Sequence, residues 1–292
     1  MPPGSAGRAM PAPRSMAMQS GPAPTRGGSR EAPASGQGLR ALLAGLTGAA
    51  WLALWLWTGS PYGRYLDHGR WTDAGVFAAI CRAVPDGEIV VPALLHSAGW
   101  VLMIAAMMLP TTLPILERFR RMVGGRPDGR RLLARVVTGY LAAWLGFGLV
   151  AHLADWGVHA SAARLPWLAL NGWLVGATIL ALAGLFQFSA LKYRCLERCH
   201  APVGFIMGRW HGMRPGREAL RLGFDHGLFC VGCCWALMLL MFVVGTGSVG
   251  WMLALAAVMA AEKNLRGGER LRTPLGVGLL AWAAGVVLVH FG

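Results

Sequence analysis

Seven apolar segments, each near the length a helix needs to cross a lipid bilayer, dominate the chain. They cover about residues 39–58, 92–116, 132–153, 167–191, 222–244, 247–262 and 273–291. A hydrocarbon core about 30 Å thick takes roughly 20 helical residues to cross. The sequence therefore predicts an all-α fold: a polytopic transmembrane helical bundle of about seven spans. The second segment carries Pro110 and Pro114, which predict a kink of the kind spanning helices tolerate. The sixth is short and ends in Glu262 and Lys263, a pair expected either to find charged neighbours or to snorkel to the interface. Six spans with one re-entrant segment is the alternative.

Charge supports the same reading. Only 14% of residues are charged, against about 25% in soluble domains. A net charge of +14 would suit nucleic acid if it were clustered. Here the basic residues are interspersed between apolar runs, so the expected partner is the lipid bilayer and not nucleic acid. Counted by loop, 23 of the 27 Lys and Arg residues fall on one side of a seven-span topology and 4 on the other. Basic loops stay in the cytoplasm, which predicts an N-in, C-out orientation. Residues 1–38, rich in Gly, Pro, Ala and Ser, are expected to form a disordered cytoplasmic tail, with residues 39–292 as the transmembrane domain. The first span reads as an uncleaved anchor, because a long charged stretch precedes it. No internal repeat of the inverted-transporter kind is evident.

Five of the six cysteines fall into two groups. Cys195 and Cys199 lie at the cytoplasmic end of the fourth span, flanked by Lys192, Arg194 and Arg198. Cys230, Cys233 and Cys234 lie within the fifth span. At 1.5 Å per residue, Cys233 is roughly 17 Å in from Leu222, near the bilayer midplane. At about 100° per residue, His226, Cys230, Cys233, Cys234 and Met241 share one helical face, an arc of about 100°. On the second span His96, Trp100, Met103 and Met107 share an arc of about 60°, with Met103 at the depth of Cys233. Thiols and thioethers at one level suit a soft metal ion: Cu(I) above all, with Zn(II) as the other candidate. Cysteines open to the cytoplasm stay reduced, which favours metal over a structural disulfide. Taken alone, Met103, Met107 and Met108 read as packing residues, and three cysteines in a span can serve as small apolar filler. Their clustering beside His226 favours ligation.

Other polar residues read more plainly. Cys81 stands alone in the 59–91 outer loop with Asp67, His68 and Asp73, while His152 and His159 sit at the outer boundary. Asp225 and His226 form a candidate orienting pair, although adjacent residues on a helix do not face each other. No phosphate-binding loop, dinucleotide fingerprint, zinc-protease motif or nucleophile elbow occurs, so no ATP-driven or hydrolytic chemistry is indicated.

Four ordered stretches carry a resemblance: WVLMIAAMMLPTTLP from Trp100, LKYRCLERCHAPVGF, GFDHGLFCVGCCWALMLLMFVVG and WMLALAAVMAAEK. Together they resemble a bacterial family of metal-binding integral membrane proteins described as copper-chaperone-like, over about residues 95–265. The resemblance implies a multi-pass inner-membrane protein that binds metal through Cys195, Cys199, His226, Cys230, Cys233 and Cys234. Met103, Met107 and Met108 are implied as auxiliaries, and a metal donor or acceptor protein as partner. The tail and the final span lie outside it. A soft-metal binding and handling protein is thus the leading expectation, which leans away from an enzyme without excluding one. A membrane thiol oxidoreductase needs a cysteine pair able to reach its partner, and a structural subunit of a larger assembly would use the thiols only as packing.

Overall fold

The computed structural model describes residues 32–60, 90–244, 248–265 and 267–291, and no strand occurs among them. The expected tail before residue 32 and the loop holding Asp67, His68, Asp73 and Cys81 lie outside the described residues, as do the side chains of His96 and His159.

Helix α1 (Ala32–Thr58) contains the first apolar run. The second run divides into α2 (Val90–Met107), a 3-10 turn (Pro110–Thr112) and α3 (Leu113–Val123). Proline lacks an N–H and its ring clashes with the preceding turn, so the axis bends by 47° there. The hydroxyls of Thr111 and Thr112 donate to Met108 O and Leu109 O, both at 2.7 Å, adding donors where the helical ladder is interrupted. Next come α4 (Gly129–Arg164), the short α5 (Pro166–Leu170), α6 (Trp173–Phe186) and α7 (Ala190–His200). The last two meet at a 62° bend, where Ser189 caps α7 by accepting the Lys192 N–H at 3.1 Å. The chain continues through α8 (Pro202–Met207), α9 (Pro215–Val244), α10 (Val249–Asn264), a 3-10 turn (Gly268–Leu271) and α11 (Arg272–Phe291).

Among the described residues four helices are long and apolar enough to cross a bilayer, and up to six spans result if each bent pair counts as one. The run expected at 247–262 forms α10, whose 16 residues extend about 24 Å, less than a hydrocarbon core of about 30 Å. Outward faces carry Trp55, Leu56, Val150, Leu153 and Trp156, all well exposed. Apolar surface on this scale is what lipid contact covers.

Inside, α4 and α9 pack backbone against backbone. A Cβ on Gly139 would lie 2.1 Å from Leu220 O, and one on Gly223 would lie 1.9 Å from Val136 O. Small residues let backbones touch in this way. Around that pair, Trp100, Met107, Trp144, Leu180 and Met241 belong to the main core. Trp100 Nε1 donates to Trp144 O at 3.0 Å, linking α2 to α4. A second core gathers Phe119, Leu132, Phe205 and Leu222 from α3, α4, α8 and α9.

Glu262 and Lys263 do not snorkel. Both are buried, as is Lys192. Lys192 Nζ lies 2.9 and 2.8 Å from the two Glu262 carboxylate oxygens and also donates to Gln187 Oε1. His200 Nε2 approaches Glu262 O at 2.9 Å. These bonds tie the α6–α7 corner to the end of α10. Removing one member of a buried pair strands the other charge, at a cost of about 3–5 kcal/mol. Glu262→Leu should therefore lower the thermal unfolding midpoint in detergent strongly, and adding Lys192→Met should restore most of the loss.

Candidate functional site

The residues of α9 that the helical count places together are all inside the protein: His226, Cys230, Cys233, Cys234 and Met241 are buried. Cys233 Sγ donates back to Cys230 O at 3.2 Å and lies 3.4 Å from Cys234 Sγ. Helix α7 brings the other group to them. Cys195 packs on Gly232, where a Cβ would stand only 2.6 Å from its Sγ. One turn further along, the half-buried Cys199 packs against the core that holds Cys230, Cys233 and Cys234. The absent side chain at Gly232 admits the thiol, so the two cysteine groups meet across α7 and α9. All five thiols are free.

Helix α2 and the residue that follows it supply the thioethers. Met103, Met107 and Met108 are buried in the same core as the thiols. Met108 has the most direct link: its Sδ is 3.8 Å from Lys263 Nζ, which in turn lies 2.8 Å from Cys230 Sγ. Tyr140 on α4 completes the surroundings, with its Oη 3.0 Å from Cys230 Sγ and 3.3 Å from Met108 O. The sequence offered no spacing signal for Tyr140, since its partner is 90 residues away. Lys263 carried one, as one of only two lysines in the chain and at the end of an apolar run.

His226 stands beside the thiols between two rings, 5.9 Å from Tyr140 and 5.6 Å from Phe205 between centroids. With Thr111, Cys199 and Lys263 it lines a small cavity of about 10 Å³, room for about one water molecule. Asp225 does not orient it: that carboxylate turns to Arg209 at 2.7 Å, because successive residues leave a helix about 100° apart. Arg209 also lies over the Phe205 ring, 4.1 Å from its centroid.

The donor chemistry is soft. Thiols and thioethers crowd together while the nearby carboxylates are engaged elsewhere, Glu262 with Lys192 and Asp225 with Arg209. Such a set fits Cu(I) and offers little to hard, oxygen-seeking ions. Among the described residues no three His, Cys, Asp or Glu side chains already stand in a metal-binding arrangement. Cys230 is instead engaged by Lys263 and Tyr140, so a metal ion would have to draw the sulfur atoms together.

The apposition of α7 and α9 can be checked directly. In a variant keeping Cys199 and Cys233 as its two thiols, a short bifunctional thiol reagent should bridge them within one chain, read by intact-protein mass. Two separate single modifications would show that the helices are not apposed there.

Comparison with known proteins agrees with this chemistry. No curated protein and no solved structure matches the chain. A family model described as "PpoB2: Copper chaperone" matches residues 97–286. The match extends past the expected limit near residue 265 and takes in most of α11, so the final helix belongs to the shared region. The chain is a member of the PpoB2 copper-chaperone family.

Proposed function

We propose that this protein binds Cu(I) within the bacterial inner membrane and passes it to or from a partner protein. The observation that carries the reading is the packing of Cys195 against Gly232, which brings Cys195 and the half-buried Cys199 to the buried Cys230, Cys233 and Cys234. The family name supports copper as the cargo. The topology that suits this role has the N-terminus inside, so that α7 and the His226 cavity face the cytoplasm.

Cys199 is the half-buried thiol of the group and lines the small cavity with His226. These two are the residues that first meet the ion. Cys233 takes it next, paired with one further thiolate from Cys195, Cys230 or Cys234, and Met108 is the thioether linked most directly to this group through Lys263. Met103 and Met107 serve as auxiliaries deeper in the same core. The ion stays Cu(I) throughout, so transfer is exchange of sulfur ligands and no electron moves. Two thiolates on one Cu(I) leave a small net charge, which a membrane interior bears far better than several carboxylates.

Elemental analysis of protein purified in detergent tests this reading. The native chain should carry near-stoichiometric copper, and a variant with Cys230, Cys233 and Cys234 changed to Ser should carry almost none. If neither takes up metal after anaerobic loading with Cu(I) or Zn(II), the proposal fails.

A further inference from the structure

Soft donors alone leave one problem unsolved. Thiolates bind Zn(II) as well as Cu(I), so a group of five cysteines does not by itself choose between a monovalent and a divalent ion. A second feature of the site bears on that choice.

Lys263 Nζ lies 2.8 Å from Cys230 Sγ, 3.5 Å from Thr111 Oγ1 and 3.8 Å from Met108 Sδ. Three acceptors meet the three N–H donors of an ammonium group. Two of the three are sulfur atoms assigned above to the metal, so a tethered cation already sits among the ion's ligands. The other charges nearby cancel: Lys192 pairs with Glu262, and Arg209 with Asp225. Among the described residues, Lys263 is thus a buried cation with no carboxylate at ion-pair distance. Its neighbour Glu262 is spent on Lys192, which holds the end of α10 in place and keeps Lys263 aimed at Cys230.

We propose that Lys263 is the selectivity residue of the site, a fixed positive charge that admits a monovalent soft ion and disfavours a divalent one. The proposal rests on the copper reading above. Repulsion between the ammonium and an incoming ion scales with the ion's charge, so at any given position it is twice as large for Zn(II) as for Cu(I). Burial removes the salt screening that would erase the effect at a surface. Softness selects sulfur-seeking ions, and Lys263 then sorts them by charge.

The test compares affinities on the full-length protein in detergent, by anaerobic competition with chromophoric chelators. Lys263→Met should raise the Zn(II) to Cu(I) affinity ratio about tenfold or more, equivalent to about 1.4 kcal/mol per tenfold. Lys263→Arg, which keeps the charge, should stay near the wild-type ratio. An unchanged ratio in Lys263→Met overturns the proposal while leaving the copper reading intact. A wild-type chain that binds no Cu(I) overturns both. Should the neutral variant fail to fold, the unmodified protein decides with a second pair of soft ions: retention of Ag(I) over Cd(II) supports the charge filter, and equal retention of the two overturns it.

Discussion

Helices α4 and α9 meet backbone to backbone at Gly139 and Gly223, and that approach sets the position of nearly everything else in the site. Tyr140 follows Gly139 directly, so its hydroxyl reaches Cys230 only because the two helices are this close. Gly223, Gly227, Cys230 and Cys234 fall on one stripe of α9 by helical spacing. The row that begins as bare backbone contact therefore continues into thiols. Gly227 fits the same pattern, since a Cβ there would stand 2.7 Å from Ala143 Cβ and 3.0 Å from Tyr140 O. Side chains along this seam would drive the helices apart and withdraw one wall from the sulfur group. Association of helices in lipid depends on close packing of this kind, because burial from water no longer drives it.

Two adjacent residues of α10 do opposite electrostatic jobs. Glu262 turns to Lys192 and closes a neutral pair, while Lys263 turns to sulfur and leaves a net positive charge beside it. Successive side chains on a helix diverge by about 100°, which lets one short segment serve both the α6–α7 corner and the thiols. Buried charges are costly unless paired and hydrogen-bonded. Lys192 meets both carboxylate oxygens of Glu262 and also donates to Gln187, and Lys263 has three polar or sulfur partners. The pair is thus a structural clamp, and the lysine beside it is free to act on whatever the sulfur atoms hold.

The site combines features that a membrane-embedded copper carrier needs. Its donors are soft, its carboxylates face away, and its more accessible thiol, Cys199, shares a small cavity with His226. The bend at Pro110 brings Thr111 and Met108 to the Lys263 ammonium. Without that break the helix would have carried the two residues along a straight axis. Membership of the PpoB2 copper-chaperone family fits the proposed exchange of sulfur ligands, since the five described thiols are free and not locked in disulfides.

Much of this was legible in the sequence. The apolar runs specify helices because local composition and length alone decide whether a segment suits lipid. The break near Pro110 follows from the ring chemistry of proline, and the alignment of His226, Cys230, Cys233 and Cys234 follows from the helical repeat. All of these depend on residues near each other along the chain. What tertiary structure decided are relations between distant segments: Cys195 against Gly232, Tyr140 and Lys263 on Cys230, Glu262 on Lys192, and Asp225 on Arg209 in place of His226. Helical periodicity says which residues share a face but not which helix that face meets, nor how deep a lysine at a helix end will sit. Those outcomes depend on where glycines let backbones touch and on which buried charges can find partners, and both are properties of the packed bundle.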